Sequence, residues 1–131
     1  MKPSDALSVD LTDDERLLLV SALIEFGGPA KGAAMIAPLV GAASVDDFFR
    51  LTDRLENAIR GKDPLSDLDW ARALLITEIC WASDLLGAAS EFSTNMSDAR
   101  ALAALRSLQR KLVTGERIHL LLDNANTPPS D

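Results

Sequence analysis

The stretch SDLDWARALLITEICWASDLLGAASEF, Ser66 to Phe92, decides the fold. Ser66 supplies a hydroxyl N-cap, and Asp67 and Asp69 place acids in the first turn, where free backbone N–H groups and the helix dipole favour them. At the helical period, Trp70, Leu74, Trp81, Leu85, Ala88 and Phe92 share one sector, and Ala71, Leu75, Ile79, Ala82, Leu86 and Ala89 fill the next. Ala73, Ile76 and Cys80 dilute even the remaining face, among Arg72, Thr77, Ser83 and Asp84. A helix apolar nearly all round belongs in the middle of a domain. The chain is therefore expected to be all-α, a compact bundle of four to five helices around a central one over about 67–92.

Glu78 breaks the apolar arc. A carboxylate there must be paired, hydrogen-bonded or protonated, since desolvating a lone charge costs several kcal/mol. Two readings follow: a structural pair or solvent-reaching edge carboxylate, and a functional acid in a pocket walled by Trp70 and Trp81.

Outward from this helix, Thr12-Asp13-Asp14-Glu15 reads as a capping box opening a helix from Asp13 to Phe26, stopped by Gly27-Gly28-Pro29. The small residues between Pro29 and Ala43, interrupted by Pro38, predict one short helix and a turn. Ser44 caps a third long helix from Val45 to Arg60, with Phe48, Leu51, Leu55 and Ile59 as its apolar stripe and Gly61 at its end. Ser97 caps another from Asp98 to about Val113, with Ala101, Leu105, Leu108 and Leu112 inward. Residues 117–122 are ambiguous between helix and strand, because so short an apolar run has no decisive period. The expected organisation is one domain over 1–122, with a loose arm at 1–9 and a disordered tail at 123–131.

The chain has 131 residues, a formal charge of −7, one cysteine and one histidine. An acidic surface disfavours nucleic acid and anionic membrane and suits a basic protein partner. Cys80 cannot form an intrachain disulfide, and the opening residues lack the apolar stretch of a signal peptide, so a cytoplasmic location is expected. Neither a zinc site, a phosphate loop nor a nucleophile elbow can be assembled from the motifs present. No enzymatic activity, metal or cofactor is expected.

Leu17 to Ile59 resembles helix-turn-helix regulators in the order helix, short helix, turn, long helix, with Ile36-Ala37 and Gly41 at the small-residue and turn positions. The resemblance implies a transcriptional regulator. The match departs at Asp47, where the recognition helix has a buried position, and Asp46 and Asp47 would lead that helix into phosphates. Asp46-Asp47-Phe48-Phe49 also resembles the start of the magnesium motif of terpenoid synthases, but Arg50 stands where an acid is needed.

From Asp5 to Asp98 there are seventeen acids and seven bases, whereas Ala99 to Arg117 holds five bases and one acid. Two charged faces follow as binding surfaces: Asp46, Asp47, Asp53 and Glu56 for a basic partner, and Arg100, Arg106 and Arg110 for an acidic one. The functional expectation is an acidic protein-binding module of the immunity-protein or antitoxin type. Self-association as a homodimer is compatible with it. The alternatives are the helix-turn-helix regulator over residues 17–59 and a small-ligand pocket or enzyme centred on Glu78.

Overall fold

Thr12 accepts a hydrogen bond from the Glu15 amide at 3.1 Å and Glu15 Oε1 accepts one from the Thr12 amide at 2.8 Å, so the expected capping box opens the first helix, α1 (Asp13–Glu25). The computed structural model describes residues 6–26, 32–83 and 97–126. Five further α-helices follow: α2 (Ala33–Ile36), α3 (Val45–Arg60), α4 (Asp67–Ala82), α5 (Asp98–Leu112) and α6 (Gly115–Asn126). A 3-10 helix over Ala37–Val40 continues α2. The all-α bundle is thus the observed fold. The described residues hold one α-helix more than the expected four to five, because residues 117–122 belong to α6.

Ser44, Ser66 and Ser97 each accept from the amide three residues on, as a serine N-cap should. Pro38 does not break the chain's winding. It sits in the first turn of the 3-10 helix, where its missing N–H is not needed. Gly41 then ends that helix in the left-handed region at φ 78°. At the end of α3 the left-handed residue is Lys62 at φ 60°, while Gly61 stays at φ −80°.

Helix α1 packs against α3, α4 and α5, and α4 against α1, α5 and α6, so the two apolar helices share the centre. Phe26 meets Phe48 edge to face with centroids 5.5 Å apart, joining the end of α1 to the start of α3. Leu18, Leu19, Leu55, Ile59, Ile76 and Leu108 are fully enclosed between these helices. Thr77 is buried on α4 and returns its hydroxyl to the Ala73 carbonyl at 2.8 Å, which explains how a polar side chain occupies the core. This helix does not run on to Phe92 as expected: it ends at Ala82, with Ser83 in extended backbone at φ −101° and ψ 120°, and residues 84–92 lie outside the described ones.

Residues 6–9, expected as part of a loose arm, are anchored. Leu7 and Leu65 exchange backbone hydrogen bonds at 2.7 and 3.0 Å, and the buried Trp70 indole N–H donates to the Leu7 carbonyl at 2.9 Å. The C-terminal helix likewise runs to Asn126, past the expected end of the domain. Among the described residues, no helix is long and apolar enough to cross a membrane.

Candidate functional site

Arg72 is the only cation on α4, and a guanidinium on a helix this apolar needs acceptors close by. It finds three. Its Nε donates to the Val40 carbonyl at 2.8 Å, Nη1 to Asp69 Oδ1 at 2.9 Å and Nη2 to Asn124 Oδ1 at 2.9 Å. One side chain therefore joins the end of the 3-10 helix, its own first turn and the last part of α6. The close approach depends on Gly41. A Cβ at that position would lie 1.7 Å from Asn124 Oδ1.

Asp69 receives a second arginine from α3. Arg54 bonds it in a fork, Nη1 to Oδ2 at 2.7 Å and Nη2 to Oδ1 at 3.1 Å. Burial works to raise the Asp69 pKa, but the hydrogen bonds from Arg54 and Arg72 outweigh it and hold the carboxyl below the ordinary aspartate range. Asp69 is thus a charged, buried anchor between two guanidiniums.

In front of this anchor lies an open cleft of about 480 Å³, lined by Val40–Ala43 on one wall and by Asp47, Arg50, Leu51 and Arg54 of α3 on the other, with Arg72 at the back. Gly41, Ala42 and Ala43 keep the first wall low. Arg50 is exposed at the rim and pairs with Asp47 at 2.5 Å. Its pKa is raised by the Asp47 hydrogen bond and charge, with a further contribution from Asp46.

The acids expected to meet a partner divide. Asp47 and Glu56 are engaged within α3, by Arg50 and by Arg60 at 2.5 Å. Asp46 and Asp53 are exposed on the outward side of the helix and make no hydrogen bond or ion pair within 4 Å among the described residues. The basic face divides in the same way. Arg100 reaches across to Asp14 of α1, Arg106 donates to Gln109 Oε1 at 2.8 Å, and Arg110 is exposed without a close partner among the described residues.

Glu78 is half-buried and accepts from Gln109 Nε2 at 2.7 Å. It edges a depression of about 90 Å³ lined mainly by Ala71, Leu74, Leu75, Leu112, Ile118 and Leu121. Neither Trp70 nor Trp81 lines that depression; Trp70 is turned to Leu7 instead. The fully buried carboxylate is Glu15, bonded by Lys111 Nζ at 2.6 Å and by the Thr12 amide. Its pKa is pushed up by burial and pulled further down by Lys111, by the nearby Ser107 hydroxyl and by Thr12, for a net lowering, even though Oε2 has no regular hydrogen bond.

Sequence reading did not foresee the Asp69 cluster. In the sequence Asp69 reads only as a first-turn acid of the central helix. The available signal was Arg72, a lone cation on a helix apolar nearly all round, which required an internal acceptor.

No protein-family model matches this chain, and no match emerges among curated proteins or solved structures.

Proposed function

We propose that this chain is a non-catalytic protein-binding module that presents the outward face of α3 to a basic partner. The observation that carries the reading is the pair Asp46 and Asp53, two exposed carboxylates about two turns apart on a helix whose opposite side is locked into the core by Phe48, Leu55 and Ile59. Unpaired carboxylates on a rigid element steer a cationic partner and fix its register without costing the free protein any reorganisation. The chain's charge of −7 adds a long-range attraction of the same sign. Small acidic helical proteins of the immunity and antitoxin type neutralise cationic toxins in this manner, and this chain fits that type. The lone cysteine, Cys80, is buried on α4 and the lone histidine, His119, is exposed on α6, an arrangement that supports binding over nucleophilic chemistry.

The test is affinity capture of the tagged chain from its host's lysate, nuclease-treated, at low and high salt, beside an Asp46→Asn/Asp53→Asn variant. A stoichiometric protein that is retained at low salt, lost at high salt and weakened by the variant is the expected result. Capture of nucleic acid alone would favour the helix-turn-helix reading. A protein partner indifferent to both salt and the variant would place binding away from α3.

A further inference from the structure

We infer that the cleft between Val40–Ala43 and α3 is a binding site for a phosphoryl group, either free phosphate or the phosphate of a small phosphorylated molecule. This inference stands apart from the protein-binding reading and uses the other edge of α3.

Charge is the first argument. Three guanidiniums, Arg50, Arg54 and Arg72, line the cleft against one lining carboxylate, Asp47. Asp69 lies behind them and Asp46 acts on Arg50 from outside the cleft, so the positive excess is confined to the lining itself, in a chain of net charge −7. A local excess of that sign on an acidic protein draws a small anion and not the bulk of an anionic macromolecule.

Donor capacity is the second. An arginine carries five N–H donors. Among the described residues Arg72 commits three of them, Arg54 two and Arg50 one. Unused donors therefore remain on all three, and planar guanidinium forks match the oxygens of a phosphoryl group.

Preorganisation is the third. Arg72 is held by acceptors from three different elements, and Arg54 is held by the Asp69 fork. A ligand meeting them costs little ordering of side chains. Arg50 is the mobile member: its pair with Asp47 sits at an exposed rim, where ion pairs are worth little and exchange readily. Space is the fourth. The cleft volume falls within the usual range for small-molecule sites, and the low wall of Gly41, Ala42 and Ala43 leaves room beside the phosphoryl group for a small organic remainder.

The test is calorimetric titration of the full chain with inorganic phosphate, glycerol phosphate and acetate in a low-chloride buffer, with circular dichroism to verify the fold of each variant. Saturable one-to-one binding of phosphate is expected, and acetate should bind much more weakly. Arg50→Gln should weaken phosphate binding roughly tenfold, the equivalent of one charge-assisted hydrogen bond. Asp47→Asn should tighten it several-fold by releasing Arg50. Both residues are solvent-accessible, so these variants decide the matter even if Arg54→Gln fails to fold. Tighter binding of glycerol phosphate than of phosphate assigns a phosphorylated small molecule, and equal binding assigns the free anion. Absence of saturable binding, acetate binding as tight as phosphate, or affinity unchanged in both Arg50→Gln and Asp47→Asn would overturn the inference.

Discussion

Gly41→Ala is the substitution through which the clamp around Arg72 can be measured. Two costs add. An alanine at φ 78° takes the left-handed conformation, which costs an L-residue about 1–2 kcal/mol. Its Cβ would also sit 1.7 Å from Asn124 Oδ1 and 2.6 Å from Asn124 Cγ, so the amide must swing away. That movement gives up the 2.9 Å hydrogen bond from Arg72 Nη2, a bond to a charged group worth about 1.5–3 kcal/mol. The total expected for Gly41→Ala is about 2.5–5 kcal/mol. In the Asn124→Ala background the clash has no partner and the hydrogen bond is already lost, so Gly41→Ala should cost only the left-handed term, about 1–2 kcal/mol. The two substitutions are therefore expected to couple by about 2 kcal/mol, well outside the few tenths found for independent sites. Urea unfolding of the four proteins, followed by circular dichroism with slopes compared, reads this directly. Additivity to within about 0.5 kcal/mol would refute the contact between the Gly41 turn and α6.

Glu15→Gln should destabilise the protein by about 2 kcal/mol. The amide oxygen can keep accepting from Thr12 and Lys111, which share Oε1, but the carboxylate charge that pairs with Lys111 is lost, and the partly exposed Lys111 can turn to water and so limits the penalty. A double-mutant cycle with Lys111→Met checks this, and a coupling near zero would show that the pair is not linked. Acid should unfold the protein through the same group and Asp69. Both carboxyls have folded pKa values below their ordinary 4.5 and 3.8, so the unfolded chain binds more protons in that range and stability rises with pH. The contribution is complete above the ordinary values and is lost as pH falls through the depressed folded ones. The urea midpoint should thus stay level near neutrality and drop below about pH 4.5, with a shallower drop in Glu15→Gln. An equally steep acid limb in that variant would place the titrating groups elsewhere.

The Asp69 clamp and the Glu15–Lys111 pair show where sequence reading stops. The caps at Thr12, Ser44, Ser66 and Ser97 were legible because a cap is a contact between residues three apart, and the chain itself enforces that distance. The stripe of α3 was legible because period reports burial, with Phe48, Leu55 and Ile59 enclosed as expected. Arg54 and Asp69 lie fifteen residues apart, Arg72 and Asn124 fifty-two, and Glu15 and Lys111 ninety-six, and no local pattern marks those meetings. Arg100 looked like part of a basic binding face for the same reason; only the packing of α5 on α1 shows that Asp14 takes it.

By itself the sequence determined the helical class, the starts of four long helices and the apolar faces that drive them together. These depend on interactions within a few residues and on the hydrophobic period, both of which survive in a linear reading. The tertiary structure decided which charges distant in sequence meet. An ion pair between helices depends on the crossing of two elements and on the reach of two side chains, and that geometry ties Arg100 to Asp14 and Arg54 to Asp69, whereas Asp47 and Glu56 are tied within α3; among the described residues Asp46, Asp53, Arg110 and the cleft of Arg50, Arg54 and Arg72 stay open to a ligand.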